Sequence, residues 1–226
     1  MKRVLISALG LAALASSAMA ADLPAQMPYK APAYVPVFNW TGFYAGLNIG
    51  GAWGDASVNG TSGGQMSGII GGGQVGYNWQ INNNFLLGVE ADFQGSGQKR
   101  DTNLTVTGLG ATTITQEVPW FGTARARAGL TFDRHLVYVT GGAAWLSYKL
   151  SATAGGVTAS TDTSKVGWTV GAGWEWMFAP QWSAKVEYLY LDTGTTTITL
   201  AGVAIPGARL RDNVVRVGVN YHFMAR

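Results

Sequence analysis

Apolar side chains recur at every second position through seven of eight strand-like segments of the chain, and this alternation constrains the fold more than any other feature. In the segment that begins at Phe43 and ends at Trp53, Leu47 and Ile49 share the apolar face, and Asn48 lies on the opposite one. A period of two places successive side chains on opposite faces of a β-strand. Each segment has roughly ten residues, the length of strand that crosses a bilayer at a tilt.

The faces opposite the apolar ones carry charge. A soluble sandwich would bury the apolar faces and expose these charges, whereas a membrane barrel turns its apolar faces to lipid and its polar faces to the lumen. Charged residues make up only 12% of the chain, about half of the ~25% that is usual for a globular protein. Eight charged residues are therefore predicted to line a lumen: Glu90, Asp92, Arg125, Arg127, Glu175, Lys185, Glu187 and Arg216.

The connections between segments alternate in length. Those after segments two, four and six are short ("INNN", "DRH" and "APQ"), and the others are long and rich in Gly, Ser and Thr. Aromatic residues cluster at both ends of the segments, as in the interfacial girdles of outer-membrane proteins. The pattern predicts an all-β fold, an eight-stranded antiparallel transmembrane β-barrel with short periplasmic turns and long extracellular loops. A soluble barrel of the lipocalin type is the alternative with the same strand count.

The first twenty residues have the three parts of a secretory signal peptide. Lys2 and Arg3 form a positive start, Val4 to Ala15 form an apolar stretch, and Ala18-Met19-Ala20 is a small-residue cleavage site. Cleavage after Ala20 is expected, and export to a bacterial outer membrane follows from the combination of signal peptide and barrel.

Residues 21–38 are predicted to be a proline-rich periplasmic leader, and residues 39–226 the barrel domain. A proline at every fourth position favours an extended chain and blocks a helix. The four prolines are Pro24, Pro28, Pro32 and Pro36.

Gly71 to Gly76 match the G-x-G-x-x-G pattern of nucleotide-binding loops. That pattern binds the phosphate groups of a nucleotide only where a strand precedes it and a helix starts within it. Here the turn "INNN" and another alternating segment follow. The stretch is therefore interpreted as a glycine-rich strand.

The residues favour a protein that is not an enzyme and holds no cofactor or metal. The sequence contains no cysteine and only two histidines. His135 falls in a short periplasmic turn and His222 faces inward near the periplasmic end, so neither could activate a serine at the outer leaflet. Without Lys2 and Arg3 the chain has 13 basic against 12 acidic residues, which does not favour a nucleic-acid partner.

Two interpretations of the lumen stay open. Eight strands enclose a space that side chains normally fill, so the charges would form a structural plug, with Glu90 and Arg125 as the first pair. Inward glycines such as Gly46, Gly72 and Gly76 would leave room for water, which favours an ion path instead. The faces of segment five are mixed and give no orientation, and the oligomeric state is not indicated.

Basic residues in or near the long connections could contact anionic lipopolysaccharide, or they could be ordinary solvated charges. They are Lys99, Arg100, Arg209 and Arg211.

Several stretches resemble the small outer-membrane barrel proteins of alphaproteobacteria, often called outer-membrane immunogenic or porin-family proteins. They are "FNWTGFYAGLNIGGAWG", "WFGTARARAGL", "YVTGGAAW", "GWTVGAGWEWMF" and "AKVEYLYLD", and the resemblance extends from Asn39 to Phe223. It implies an eight-stranded surface barrel that is mainly structural and surface-presenting. Members are otherwise described as porin-like, or in a few relatives as haemin-binding, so a narrow channel for small solutes and ligand binding or adhesion through the loops are the alternatives.

The last segment also resembles the signal read by the bacterial barrel-assembly machinery. Gly218, Tyr221 and Phe223 occupy its glycine and aromatic positions, beside the polar Arg216. That signal usually ends at its Phe, whereas Met224-Ala225-Arg226 follow here. The expected partners are thus outer-membrane lipid, lipopolysaccharide and the assembly machinery.

Overall fold

Nine β-strands make up the regular structure of the described chain. The computed structural model describes residues 39–58, 61–106, 110–200 and 203–224. The predicted signal peptide and leader lie outside these residues, as do Ala225 and Arg226. No helix in the described residues is long and apolar enough to cross a membrane. The strands are β1 (Gly42–Val58), β2 (Thr61–Gln80), β3 (Phe85–Val106), β4 (Gly110–Phe132), β5 (His135–Ala154), β6 (Val157–Ala179), β7 (Trp182–Asp192), β8 (Thr196–Leu200) and β9 (Val203–Met224).

Eight of these strands close into a ring. Each of β1 to β7 pairs antiparallel with its neighbour in the sequence, β7 pairs with β9, and β9 pairs with β1. In the closing pair Phe43 lies opposite Phe223, and Trp53 lies opposite Asn213. Within the described residues, the short β8 pairs with the first residues of β9 and with no other strand. The predicted eight-stranded antiparallel barrel is confirmed.

The strands are much longer than the sequence predicted. Seven of the eight barrel strands have 17–23 residues, and only β7, with 11, has about the expected length. The connections predicted to be long loops are mostly continuations of the strands, because Thr and Val favour extended backbone and antiparallel hairpins satisfy their own hydrogen bonds in water. Between β5 and β6, Gly155 and Gly156 have positive φ angles of 55° and 82°, which a two-residue hairpin turn requires.

The apolar faces of the strands point outward, as the alternation predicted. Leu47 is 74% exposed and Ile69 is 73% exposed, and large apolar residues on the other strands are exposed in the same way. A continuous apolar band of this kind is typical of a surface that contacts lipid.

Aromatic rings pack on one another in the two predicted girdles. At the end with the short turns, the centroid of Phe43 lies 4.6 Å from that of Tyr77, and Tyr221 lies 5.0 Å from Phe223. At the end with the long hairpins, the centroids of Phe93 and Trp120 are 5.6 Å apart.

One residue of β4 faces the opposite way from its prediction. A strict period of two through β4 would turn Val118 outward together with Trp120, but the Val118 side chain is fully buried inside the barrel. The pairing of β4 with both neighbours shifts register around Pro119, so the period of two is interrupted. Proline has no backbone N–H for the ladder and is tolerated in a strand chiefly at such a bulge.

The structure also orients β5, which the sequence left open. Leu136, Tyr138, Ala144 and Leu146 are buried inside the barrel, whereas Val139 faces outward. The inward set mixes aromatic, small and aliphatic residues, so neither face stood out in the sequence.

Candidate functional site

The barrel interior is the candidate site, and its side chains form three layers along the barrel. A turn-side apolar layer lies near the short turns and consists of Trp40, Leu86, Leu136, Tyr138 and Met177. A hairpin-side apolar layer lies near the long hairpins and consists of Ala52, Met66, Ile70, Val118, Phe121, Ala144, Leu146, Tyr148, Leu189, Leu191, Leu210 and Val214. Between them the ionic layer contains all eight charged residues that the sequence assigned to the lumen.

The ionic layer is neutral as a whole and excluded from solvent. Its four acidic residues balance its four basic residues, and none of the eight is more than 8% exposed. A buried charge is strongly unfavourable unless it is paired and hydrogen-bonded, so the contacts within the layer decide whether it is tolerated.

Arg125 connects two sides of the barrel. The register places it directly opposite Glu90, the pair expected from the sequence, and its guanidinium forms an ion pair with that carboxylate. Arg125 Nη2 also lies 2.9 Å from Asp92 Oδ2, and Nη1 lies 3.2 Å from Glu187 Oε2. Since Glu187 belongs to β7, these contacts cross the lumen.

Glu90 is the centre of the layer. Lys185 Nζ lies 3.1 Å from its Oε2, and Arg216 Nη2 lies 3.5 Å from its Oε1. Arg216 also pairs with Asp92, at 3.2 Å, and with Glu187. Residues of β3, β4, β7 and β9 thus meet in one network.

Arg127 is held between two tyrosine rings that the sequence analysis did not assign to the site. Its guanidinium carbon lies 4.5 Å from the ring centroid of Tyr44 and 5.3 Å from that of Tyr138. Its Nη1 lies 3.2 Å from Glu175 Oε2. The two phenols donate hydrogen bonds into the network, Tyr44 to Glu90 at 2.7 Å and Tyr138 to Glu187 at 2.8 Å.

The inward glycines do not leave the expected room for water. Tyr44 is paired across the strands with Gly76, and Tyr138 with Gly173. A Cβ atom at Gly76 would lie 2.2 Å from the Tyr44 hydroxyl, so the phenol occupies that space. Larger side chains cover other inward glycines too, Asn220 at Gly46 and Gln94 at Gly72 among them. An inward tyrosine directly opposite a glycine on the neighbouring strand is a pattern in the sequence that could have predicted the position of these two rings.

His222 lies beside Ser183 and Glu175 at the turn-side end of the ionic layer. Its Nε2 is 2.9 Å from Ser183 Oγ and 3.4 Å from Glu175 Oε1. A catalytic triad needs the carboxylate on the other ring nitrogen, where it orients the imidazole. Both partners approach the same nitrogen here, so the arrangement does not form that relay. His135 is the first residue of β5 and stacks on Trp174, with ring centroids 5.6 Å apart.

Asp212 is a ninth inward-facing charge, which the sequence analysis missed. Trp53 belongs to the aromatic girdle near the long hairpins and lies opposite Asn213. Asp212 is one residue further toward the hairpins, at the edge of the hairpin-side apolar layer. Gln98 Nε2 donates to both of its carboxylate oxygens at 3.0 Å. Burial raises the pKa of Asp212 to about 7, against the opposite effect of the hydrogen bonds from Gln98 and the backbone of Asn213. Among the described residues no cation lies within ion-pair distance of it.

The four basic residues of the hairpins all have partners in the protein. Lys99 Nζ lies 3.6 Å from Glu117 Oε1, and Arg100 Nη1 donates to the backbone oxygen of Gln65 at 3.1 Å. Arg209 and Arg211 both approach Asp192. The side chains of Lys99 and Arg211 stay about half exposed, at 53% and 50%.

The residues of the predicted assembly signal lie on the last strand, β9, and its two aromatic residues are in the girdle near the short turns. Tyr221 and Phe223 point outward, and the ring of Tyr221 lies 5.1 Å from that of Trp182. Gly218 lies opposite Asn48, and a Cβ atom there would be 2.8 Å from the backbone oxygen of Leu47.

Comparison with known families agrees with this geometry. The family described as "Outer membrane protein beta-barrel domain" matches residues 6–223. The chain belongs to this family. As a member, it is an outer-membrane β-barrel protein whose apolar band contacts membrane lipid, with its short turns in the periplasm and its long hairpins outside the cell.

Relatives with known names come from alphaproteobacteria, as the resemblance implied. The chain is 38% identical over 243 residues to the 31 kDa outer-membrane immunogenic protein of Brucella melitensis, covering 99% of this chain and all of that one. It is 30% identical to the 22 kDa outer membrane protein of Rhizobium leguminosarum bv. viciae, over 83% of this chain and 80% of that one. Among solved structures, Neisserial surface protein A is similar, with 17% identity, a TM-score of 0.48, and coverage of 81% of this chain and 98% of that one.

Proposed function

We propose that this outer-membrane barrel is closed and does not conduct, and that it acts as a structural, surface-presenting protein rather than an enzyme. The proposal rests on one observation: side chains fill the interior of the barrel. The ionic layer spans the lumen from β3 and β4 to β7 and β9, and an apolar layer lies on each side of it. Hydrated ions would have to separate paired charges and then pass through apolar side chains, which is strongly unfavourable.

Conductance measurements in planar bilayers test whether the barrel is closed to ions. The purified wild-type protein should give no stepwise current at either polarity, because its lumen is blocked at three levels. Stable, ion-selective steps from the wild type would contradict the proposal and support a narrow porin-like channel.

The proposal that the protein is not an enzyme is supported by the geometry at His222. Ser183, His222 and Glu175 are all buried, so a substrate has no access to the serine. A serine-directed fluorophosphonate probe should therefore leave Ser183 unlabelled in the folded barrel. Labelling of Ser183 that is lost in His222→Ala would contradict this.

Recognition by the assembly machinery is proposed to depend on the outward rings of the last strand. Phe223→Ala should lower the amount of protein in the outer membrane severalfold, whereas removal of Met224 to Arg226 should have little effect. Quantitative blotting of outer-membrane fractions makes the comparison, and equal amounts of the two variants would argue against this role.

Lipopolysaccharide contact is proposed for the exposed cations of the hairpins. Lys99 and Arg211 keep about half of their side-chain surface free for anionic groups. Arg211→Ala should reduce the amount of lipopolysaccharide that co-purifies with the barrel. An unchanged amount would show that Arg211 does not bind lipopolysaccharide.

A further inference from the structure

A cleft opens on the outside of the barrel wall, where β2, β1, β9 and β7 lie side by side. Its volume is about 520 Å³, within the roughly 300–1,000 Å³ of pockets that hold small molecules. The next residues along the strands, Met66 and Asp212 among them, are buried inside the barrel, so the cleft faces away from the lumen. The side chains that line it include Trp53, Asp55, Gln65, Tyr190, Arg211 and Asn213.

Two aromatic residues stand on opposite sides of the cleft. In the register, Asn213 lies opposite Trp53 on one side and opposite Tyr190 on the other. Neighbouring strands are about 4.8 Å apart, so the Cα atoms of the two aromatic residues are separated by roughly 10 Å. A small ring in van der Waals contact with an aromatic ring on each of its faces needs about 7–8 Å between them. The spacing therefore suits a single six-membered ring.

The cleft is held in place by contacts that involve no ligand. The ring of Tyr190 packs on that of Trp168, with centroids 5.7 Å apart. Tyr188 donates a hydrogen bond to Asn213 Oδ1 at 2.7 Å, and Asn213 Nδ2 donates to the backbone oxygen of Trp53 at 3.3 Å. A site that is ordered before binding loses less conformational freedom when a ligand enters.

Polar side chains lie one pleat further toward the hairpins. Asp55 is opposite Gln65 on one strand and opposite Arg211 on the other. Arg209 pairs closely with Asp192, whereas Arg211 Nε stays 3.7 Å from that carboxylate and its side chain is half exposed. The rim of the cleft therefore combines carboxylate and amide acceptors with amide and guanidinium donors.

We propose that this cleft binds an uncharged sugar ring, which lies between the two aromatic rings and directs its hydroxyl groups to the polar rim. A pyranose has apolar faces of C–H groups, which the negative faces of aromatic rings attract, and a rim of hydroxyl groups that both donate and accept hydrogen bonds. Asp55 and Arg211 carry opposite charges, so the lining is neutral and does not favour an anion. The inference goes beyond the lipopolysaccharide contact proposed above, because it concerns hydroxyl groups rather than anionic groups.

The first experiment uses saturation-transfer NMR on the full-length protein in phospholipid nanodiscs without lipopolysaccharide, with empty nanodiscs as the blank. The probes are methyl glucoside, methyl galactoside, methyl mannoside and N-acetylglucosamine. At least one should receive saturation, most strongly at its ring C–H protons, with a dissociation constant in the millimolar range. Absence of transfer to all the probes would overturn the proposal.

A charged probe tests whether the site prefers an uncharged ligand. N-acetylglucosamine 1-phosphate should bind no more tightly than N-acetylglucosamine, because the lining is neutral. Binding of the phosphate that is tighter by about tenfold or more would overturn the proposal and would support an anionic contact at this place instead.

The second experiment changes the protein. Trp53→Ala and Tyr190→Ala each remove one side of the cleft and should weaken sugar binding by about tenfold or more. Trp145→Ala is the matched control, since Trp145 is also outward-facing and 42% exposed but does not line the cleft. Heat-modifiable gel mobility checks that each variant is folded. Equal affinities of the control and of the folded cleft variants would overturn the proposal.

A third measurement identifies the source of the sugar. At the height of the aromatic girdle the cleft is within reach of the sugars of outer-leaflet glycolipids, and it is also open to saccharides from outside the cell. The first experiment is therefore repeated in nanodiscs that contain lipopolysaccharide. Loss of the signal of the soluble sugar would show that glycolipid sugars fill the cleft, whereas an unchanged signal would assign the cleft to soluble saccharides.

Discussion

The ionic layer and the hairpin-side apolar layer both consist of inward-facing side chains, at different heights in the barrel, but buried charge is accommodated differently at each. In the ionic layer, Glu90 is within ion-pair distance of four cations. At the edge of the apolar layer, Asp212 has a glutamine for its side-chain partner. In the ionic layer, buried charges are balanced by opposite charges. At the hairpin-side apolar layer, the single carboxyl group of Asp212 binds a proton near neutral pH instead.

This difference shows what makes the barrel interior tolerant of charge. Desolvation penalises every buried ion, and opposite charges offset the penalty only when geometry and hydrogen bonding are good. The ionic layer satisfies this because its members come from strands on opposite sides of a narrow barrel. A carboxyl group beside apolar side chains avoids the penalty by staying protonated.

Of the substitutions considered, those that disrupt the ionic layer should have the largest effect on the free energy of unfolding. Arg125→Ala leaves Glu90, Asp92 and Glu187 with less positive charge, and we expect a loss of about 3–5 kcal/mol in the free energy of unfolding. The measurement is urea unfolding in detergent, with the temperature at which the heat-modifiable gel mobility is lost as a second measure. The variant should still not conduct, because the two apolar layers on either side of the ionic layer remain in place.

The double variant Arg125→Ala with Glu90→Gln, compared with each of these substitutions alone, is the control for that prediction. It removes one charge of each sign, so its loss should be clearly smaller than the sum of the two single losses. Additive losses, or an Arg125→Ala variant as stable as the wild type, would show that the two residues do not act as a pair.

Asp212 should give the barrel a pH dependence that the ionic layer does not explain. Its pKa is about 7 in the folded protein and 3.8 in the reference state, so the folded state binds more protons between these values. Stability should therefore fall as pH rises from about 4 to about 7, by up to about 4 kcal/mol, and then stay level.

Asp212→Asn tests this dependence, because the amide cannot ionise. Urea unfolding midpoints of wild type and variant should agree near pH 4 and diverge toward pH 8, with the variant more stable at the higher pH. Parallel curves across the whole range would mean that Asp212 does not titrate on its own.

The smallest effect is expected for an exposed ion pair. Lys99 and Glu117 are 3.6 Å apart on the extracellular sheet, where water and salt screen their charges. Lys99→Ala should change the free energy of unfolding by less than about 1 kcal/mol. A loss as large as that of Arg125→Ala, measured in the same way, would remove the distinction between buried and exposed charge in this barrel.

Alternation by itself determined the fold class, the direction of most side chains and the membership of the ionic layer. The reason is local, since a strand with a period of two turns alternate residues to opposite faces whatever its partners are. The same rule turns Tyr44 inward, beside Asn48, but it cannot show that the Tyr44 ring covers Gly76 and contacts Arg127.

Tertiary structure decided everything that depends on several strands at once. The bulge at Pro119 reversed Val118, the neighbours of β5 set its orientation, and the hairpins extended the strands far beyond the membrane. Ion pairs across the lumen, such as that between Arg125 and Glu187, require a closed ring of known circumference. Contacts between residues so far apart in the sequence depend on closure and register, and neither is encoded in the period of one strand.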